Sequence, residues 1–282
     1  MQAEIEPPTR EELAEQEPAL PAALERAFAL QDEGKVEEAL SELETALAEA
    51  RVAPETLDFR DRITVALMLA DFYVEAGAVD RASDMLAVEV SHAEQTYSLV
   101  KQTGTLVEKR EVLDGLTVIR DQRTQISLIG QTAPEISIKD WINSEPVSLA
   151  AYRGKVVLLE FWATWCKPCH SMFPKIKRLH DEHSAKGLQV LGLTRYYFSL
   201  KATAGSEESE LELIQKFVQD HDLQFPVGIA EDARTQMLYG AVGLPTFVLI
   251  DRSGAVRIYG RAGGDGTDPL FDEALLACLA ES

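Results

Sequence analysis

The sequence predicts an all-α first half followed by an α/β second half. In the first half, apolar residues recur at the three- and four-residue spacing of amphipathic helices. In the second half, short apolar runs typical of buried strands alternate with stretches of helical periodicity. The chain has 282 residues, and a domain usually takes roughly 100–200 residues. The division therefore allows one domain in each half.

The composition is that of a globular protein with a strongly acidic surface. Hydrophobic residues make up 46% of the chain and charged residues 26%, which excludes wholesale disorder. The formal net charge is -20. Because such a surface repels phosphate backbones and anionic lipids, neither nucleic acid nor a membrane surface is an expected partner. Three cysteines are too few for a disulfide framework in a chain of this size.

The first half divides into a leader and a helical domain. Residues 1–21 are acidic and contain several prolines, so we expect a flexible leader, and residues 22–125 form the helical domain. Gly34 and Gly77, 43 residues apart, each separate two helical stretches. This arrangement resembles tetratricopeptide repeats, whose usual period is about 34 residues. A helical bundle of unrelated ancestry is the alternative.

Residues 126–282 are predicted to form the second domain, in which strands and helices alternate before a hairpin and a final helix. An amphipathic helix over Leu106–Ile126 leads into it. The glycine-rich residues Gly260–Gly266 match no phosphate-binding fingerprint and are expected to be a connector. The predicted strands are Val156–Phe161, Leu188–Leu193, Thr246–Ile250 and Ala255–Tyr259, and the predicted helices are Cys166–Glu182, Glu208–Asp220, Asp232–Tyr239 and Asp268–Leu279.

Cys166 and Cys169 form a C-x-x-C pair, which is either half of a zinc site or a redox-active dithiol. Structural zinc needs four ligands. The remaining cysteine, Cys278, is far away in sequence, and there is no second C-x-x-C or histidine pair at ligand spacing. The redox interpretation has a physical basis, because Cys166 follows a buried strand and begins a helix. The helix dipole and Lys167 would stabilise its thiolate, and Cys169, one turn further, could break a mixed disulfide.

The cysteines lie in a longer string, F-W-A-T-W-C-K-P-C over Phe161–Cys169, that resembles the thioredoxin superfamily. Leu244-Pro245-Thr246 resembles the cis-proline loop of that superfamily. Three further segments resemble the N-terminal extension of TlpA/ResA-like reductases: Ala133-Pro134, Val147-Ser148-Leu149 and Arg153-Gly154-Lys155-Val156-Val157. The resemblance covers about residues 127–282 and implies a thioredoxin-like α/β fold, with a central mixed sheet flanked by helices.

The same resemblance implies which residues form the site. Cys166 would be the nucleophile and Cys169 the resolving thiol. Glu160 takes the place of a buried acid that moves a proton to or from the second cysteine; a structural pairing of Glu160 with a lysine is the alternative. No metal site is implied. The expected substrate-binding residues are Trp165, Leu244, Pro245 and Thr246.

Two positions depart from related patterns. Met172 stands where ResA-like proteins often have glutamate, which weakens an assignment to cytochrome c maturation. Ala163 stands where a peroxiredoxin needs threonine, so peroxidase activity is not predicted. We expect Trp162 to pack in the core, His170 to be an exposed helix residue and Cys278 to be an inert buried thiol.

The predicted function is thiol–disulfide oxidoreductase, with reduction of protein disulfides as the favoured direction. Its partners would be protein disulfides and an upstream dithiol protein that supplies electrons, and no metal or organic cofactor is needed. The alternative is a redox-switchable scaffold whose helical domain recruits a protein partner. The resemblance points to an extracytoplasmic location, periplasmic or membrane-tethered, although residues 1–10 lack the features of a secretory signal. A cytoplasmic location is the alternative.

Overall fold

The computed structural model describes residues 20–197, 207–261 and 269–281. The chain divides into two compact units, Met1–Val112 and Leu113–Ser282, and the division falls inside one long helix. The sequence-based boundary between residues 125 and 126 stays a prediction. Residues 1–19 of the predicted leader and residues 262–266 of the predicted connector lie outside the described residues.

The first unit is helical, as the sequence predicts. Each of its two helical hairpins turns at a glycine with a positive φ, 75° at Gly34 and 74° at Gly77, a backbone conformation that favours glycine. A 3₁₀ turn, Pro54–Thr56, joins the two hairpins. The resemblance of the two hairpins to tetratricopeptide repeats stays a prediction. The helices are α1 (Ala22–Asp32), α2 (Val36–Val52), α3 (Phe59–Glu75), α4 (Val79–Thr103) and the first part of α5 (Leu106–Leu128).

A buried acid links three of these helices. Glu89 of α4 is fully buried and accepts hydrogen bonds from Arg62 Nε of α3 at 2.7 Å and from Arg51 Nη2 of α2 at 2.9 Å. Because a buried carboxylate without a partner is strongly destabilising, these two guanidinium groups account for the presence of the acid in the helical core.

The second unit confirms the predicted α/β fold with a mixed sheet. In the part of the chain that the structure describes, six strands lie in the order β1-β4-β3-β2-β5-β6. β2 pairs in parallel with β3, and β3 with β4, whereas the other neighbours are antiparallel. The strands are β1 (Asp140–Ile142), β2 (Val156–Phe161), β3 (Leu188–Arg195), β4 (Val227–Ala230), β5 (Thr246–Ile250) and β6 (Val256–Arg261).

The helices of this unit also follow the prediction, with shifts of one or two residues at their ends. Among the described residues, four α-helices follow the second part of α5: α6 (Lys167–His183), α7 (Glu207–Asp220), α8 (Arg234–Leu238) and α9 (Pro269–Ala280). The sequence did not predict the short strands β1 and β4. The prediction that Gly260 belongs to a connector is also wrong, because Gly260 lies in β6 and pairs with Phe247.

The sheet has an apolar core on each face. Val156 and Leu158 of β2 belong to the core that α6 covers, whereas Val157, Leu159 and Phe161 belong to the core on the opposite face. Because successive side chains of a strand alternate between faces, Glu160 points to the α6 side. The buried acid and the cysteine pair are therefore on the same face of the sheet.

Candidate active site

The cysteine pair lies where α6 begins, after the end of the central strand β2. Cys166 and Cys169 are joined by a disulfide. Cys166 is the N-cap residue of α6, and its Sγ accepts a hydrogen bond from the Cys169 N–H at 3.3 Å. Only 4% of Cys166 is exposed and Cys169 is fully buried. The first cysteine is thus the one nearer to solvent.

The start of α6 favours negative charge on Cys166. The first N–H groups of a helix have no partner inside the helix, and the helix dipole is positive at this end. The contact from the Cys169 N–H to the sulfur is one such interaction. Lys167 and Pro168 are exposed in the first turn, and Pro168 removes an N–H that the helix could not bond. In the reduced protein this environment lowers the cost of a Cys166 thiolate.

Within the part of the chain that the structure describes, Glu160 is a buried carboxyl group without a charge partner. Neither of its side-chain oxygens has a hydrogen-bond partner among the described residues, so no lysine there pairs with it, and the expected structural alternative is not supported. Burial raises the pKa of Glu160 from its ordinary value of 4.5 to about 8. A carboxyl group with such a pKa can hold a proton near neutral pH and exchange it with a thiol.

The Leu244–Pro245 loop lies at the same end of the sheet as the cysteines. Its peptide bond is cis. Thr246 begins β5 opposite Phe161, the last residue of β2, and its hydroxyl donates to the Gly243 carbonyl at 2.7 Å. Leu244 is half-buried, whereas Pro245 and Thr246 are buried. The exposed residues that lead into this loop are Val242 and Gly243.

Trp165 is the exposed aromatic residue beside the cysteines. Its side chain is 54% exposed, and its ring meets Tyr197 edge-on, with centroids 5.3 Å apart. The Arg195 guanidinium lies 3.9 Å from the Tyr197 ring centroid, and Gln236 hydrogen-bonds both the Arg195 side chain and the Tyr197 hydroxyl. These three supporting residues could not be predicted from the sequence, because they are distant from Trp165 along the chain and share no motif with it.

His170 is not the exposed helix residue that the sequence predicted. It is half-buried, because the rings of Phe173, Phe217 and His221 surround it with centroids 5.0–6.0 Å away. Its Nε2 lies 3.0 Å from the Thr164 carbonyl oxygen. The imidazole N–H therefore holds the backbone that enters the cysteine turn.

The remaining candidates are placed as expected or stay outside the site. Trp162 is fully buried against Phe173 and Phe217. Cys278 is a free buried cysteine, and burial raises its thiol pKa.

Among the described residues there is no group of three or more His, Cys, Asp or Glu side chains that could hold a metal ion. None of the described helices is long and apolar enough to cross a membrane.

The sheet order and the position of the cysteine pair place the second unit in the class of thioredoxin-fold redox proteins. Comparison with known proteins agrees. Residues 129–259 match the AhpC/TSA family. Over 128 residues the chain is 33% identical to thiol-disulfide oxidoreductase ResA of Bacillus thuringiensis, covering 45% of this chain and 66% of that one. It is also 33% identical to the thioredoxin-like protein YneN of Bacillus subtilis, covering 45% and 68%. The chain belongs to this family of ResA- and YneN-like thioredoxin-fold proteins.

Solved structures are similar to about half of the chain. A thiol-disulfide isomerase from Corynebacterium glutamicum is 24% identical, with a TM-score of 0.45, and the match covers 53% of this chain and 98% of the other. The curated ResA relative is matched over slightly less than two thirds of its length.

Proposed function

We propose that this protein is a thiol–disulfide oxidoreductase that reduces disulfides of other proteins. The observation that carries the proposal is the placement of Cys166 at the N-terminus of α6, with its sulfur bonded by the Cys169 N–H. A thiolate stabilised there is a good nucleophile toward disulfide sulfur. Membership of the ResA- and YneN-like family supports the same activity.

The reaction would proceed in two exchanges. In the reduced protein, the Cys166 thiolate attacks one sulfur of a substrate disulfide. A mixed disulfide forms, and the other substrate sulfur leaves as a thiolate that takes a proton. Cys169, after losing its proton, then attacks the Cys166 sulfur and releases the second substrate thiol. Two electrons pass from the dithiol to the substrate, and the disulfide between Cys166 and Cys169 is the oxidised product.

Glu160 is the group proposed to take the proton from Cys169. It lies on the α6 side of the sheet and is fully buried, and Cys169 is fully buried on that side as well. Because bulk solvent does not reach a thiol in such a position, an internal acceptor would speed its ionisation. The pKa of about 8 brings the carboxyl group close to the ordinary range of a thiol.

The substrate would bind across Trp165 and the loop formed by Leu244, Pro245 and Thr246. An extended chain beside a strand edge can form backbone hydrogen bonds with it, and the backbone of Leu244 or Thr246 would supply them here. Electrons would return to the oxidised form from another dithiol protein. We also propose an extracytoplasmic location, with a cytoplasmic location as the alternative.

Reduction of insulin disulfides tests this proposal. The full chain, supplied with dithiothreitol as electron donor, should accelerate the precipitation of reduced insulin chains. Cys166→Ser should abolish the acceleration, whereas the matched control Cys278→Ala should retain it, because Cys278 is a free buried thiol on α9. No acceleration by the parent protein would favour the alternative, a redox-switchable scaffold whose helical unit recruits a partner.

A further inference from the structure

The second part of α5 carries buried polar side chains. Residues 113–128 of this helix belong to the second unit, and Asp121, Gln122 and Gln125 are buried among the apolar residues Leu116, Ile119 and Ile126. A buried aspartate is rare unless specific hydrogen bonds satisfy it. The partners of these side chains therefore indicate what this part of the helix does.

Two of these side chains hold the backbone that leads into the cis peptide bond. Asp121 Oδ2 accepts the Gly243 N–H at 2.8 Å, and Gln125 Nε2 donates to the Gly240 carbonyl. The two contacts bracket residues 240–243, immediately before Leu244 and Pro245. A hydrogen bond to a carboxylate is stronger than one between neutral groups, so the contact at Gly243 is the stronger of the two.

The approach of the helix to this loop is close enough to require glycine. Gly240 has a φ of 58°, and a Cβ atom there would collide with the Asp121 carbonyl oxygen. The helix and the loop are thus matched to each other both by backbone packing and by side-chain hydrogen bonds. These contacts join positions 115 and 122 residues apart in the chain.

We propose that Asp121, assisted by Gln125, is a positioning residue for substrate binding. By holding the Gly243 N–H, its carboxylate sets the direction of the backbone that leads into Leu244 and Pro245, where the substrate is proposed to bind. Asp121 would not touch the reacting sulfurs. The inference rests on the proposed function, since it assigns a role in presenting a protein disulfide to Cys166.

The test compares Asp121→Ala, Asp121→Asn and the matched control Glu111→Gln in the full chain. Glu111 is an exposed acid on the same helix, so its variant also removes one negative charge. For insulin we expect Asp121→Ala to lower kcat/KM about tenfold, mainly through KM, a factor that corresponds to about 1.4 kcal/mol. Asp121→Asn keeps a hydrogen-bond acceptor and should stay within threefold of the parent. Glu111→Gln should be unchanged.

Two further readouts separate positioning from a general loss of structure or reactivity. Reduction of the small disulfide 5,5′-dithiobis(2-nitrobenzoate) needs no pairing with the loop, so its rate should stay within twofold in all three variants. The pH profile of Cys166 alkylation should also be unchanged. Amide hydrogen exchange over residues 240–243 should accelerate in Asp121→Ala, because the Gly243 N–H loses its acceptor.

Each outcome bears on a different claim. Parental insulin kinetics in Asp121→Ala would overturn the inference, as would an equal loss on the small disulfide or a loss in Asp121→Asn as large as in Asp121→Ala. If Asp121→Ala does not fold, Gln125→Ala removes the neighbouring hydrogen bond and is measured in the same way, with unchanged insulin kinetics and amide exchange as the contradicting result. Failure of the parent to reduce insulin would instead contradict the proposed function.

Discussion

At the scale of single residues, burial strongly raises the pKa of the Glu160 carboxyl group. A carboxyl group in an apolar core without a charge partner is stable when protonated and costly when ionised. Its pKa of about 8 means that the folded protein retains this proton at a pH where the unfolded chain has lost it. A buried acid of this kind lowers stability as the pH rises.

The first prediction concerns the stability of Glu160→Gln. Below pH 4.5 the carboxyl group is protonated in both the folded and the unfolded chain, and it has no pH-dependent effect. Between pH 4.5 and about 8 the folded chain binds more protons, so parent stability falls as pH rises. Since one pKa unit corresponds to about 1.4 kcal/mol, the variant should gain several kcal/mol on the parent across this range. Urea unfolding at pH 5 and pH 8.5 measures the gain, and a constant difference would contradict the burial effect.

The second prediction concerns the rate of disulfide exchange in the same variant. If Glu160 takes the proton from Cys169, Glu160→Gln should slow insulin reduction more at pH 6 than at pH 9, where hydroxide can take that proton instead. Stopped-flow or turbidity rates across pH 5–9 provide the comparison. Rates that match the parent at every pH would show that Glu160 has no role in proton transfer.

At the scale of secondary-structure elements, the important feature is how the first turn of α6 is held. The imidazole of His170 bonds the Thr164 carbonyl and packs against aromatic residues of α6 and α7. The turn that contains Cys166 is therefore fixed on one side by a side chain of its own helix. Trp165, the residue before Cys166, packs edge-on against the ring of Tyr197, which follows β3.

The third prediction separates the two contributions of His170. His170→Phe keeps the ring packing and removes the hydrogen bond, so it should cost about 1 kcal/mol of unfolding free energy. His170→Ala removes both and should cost roughly 2–4 kcal/mol. Denaturant unfolding of the pair measures the difference. Equal costs would show that the ring packing contributes nothing at this position.

At the scale of the whole molecule, the two units differ in how their sequences encode them. The helices of the first unit can be predicted from the spacing of their apolar residues, and its two hairpin turns from Gly34 and Gly77. The division at Val112 and Leu113 differs from the sequence-based boundary near residue 126, because α5 is one uninterrupted amphipathic pattern. Because the apolar spacing of α5 does not change along the helix, the sequence does not show which of its residues belong to the first unit and which to the second.

The fourth prediction compares fragments 113–282 and 126–282. The shorter fragment lacks the hydrogen bonds of Asp121 and Gln125 to the loop. A neutral hydrogen bond contributes about 1 kcal/mol and one to a charged group roughly 1.5–3 kcal/mol, so 126–282 should be less stable by about 2 kcal/mol or more. Urea unfolding followed by tryptophan fluorescence reports on this unit, since all three tryptophans lie in it. Equal stability would support the boundary near residue 126.

The central elements and the cysteine pair at the start of α6 could be predicted from the sequence, because each rests on a local pattern. The apolar run of β2 and the F-W-A-T-W-C-K-P-C sequence of Phe161–Cys169 are such patterns. Other features could not be predicted, since they depend on residues distant in the chain. β4 has only four residues, including a glycine, and it is defined by pairing with β3 and β1. The burial of His170 depends on rings from α7, and the contact of Asp121 with Gly243 has no local signature.

The central claim is that Cys166 is the nucleophile and Cys169 the resolving thiol. Incubating the reduced full-length variants with insulin and analysing the products by non-reducing gel and mass spectrometry tests it directly. Cys169→Ser should accumulate a mixed disulfide between Cys166 and an insulin chain that collapses on adding reductant, because no second thiol can break it. Cys166→Ser should trap little, since Cys169 is fully buried. Equal trapping by both variants would contradict the assigned roles, and absence of trapping in both would contradict the oxidoreductase itself.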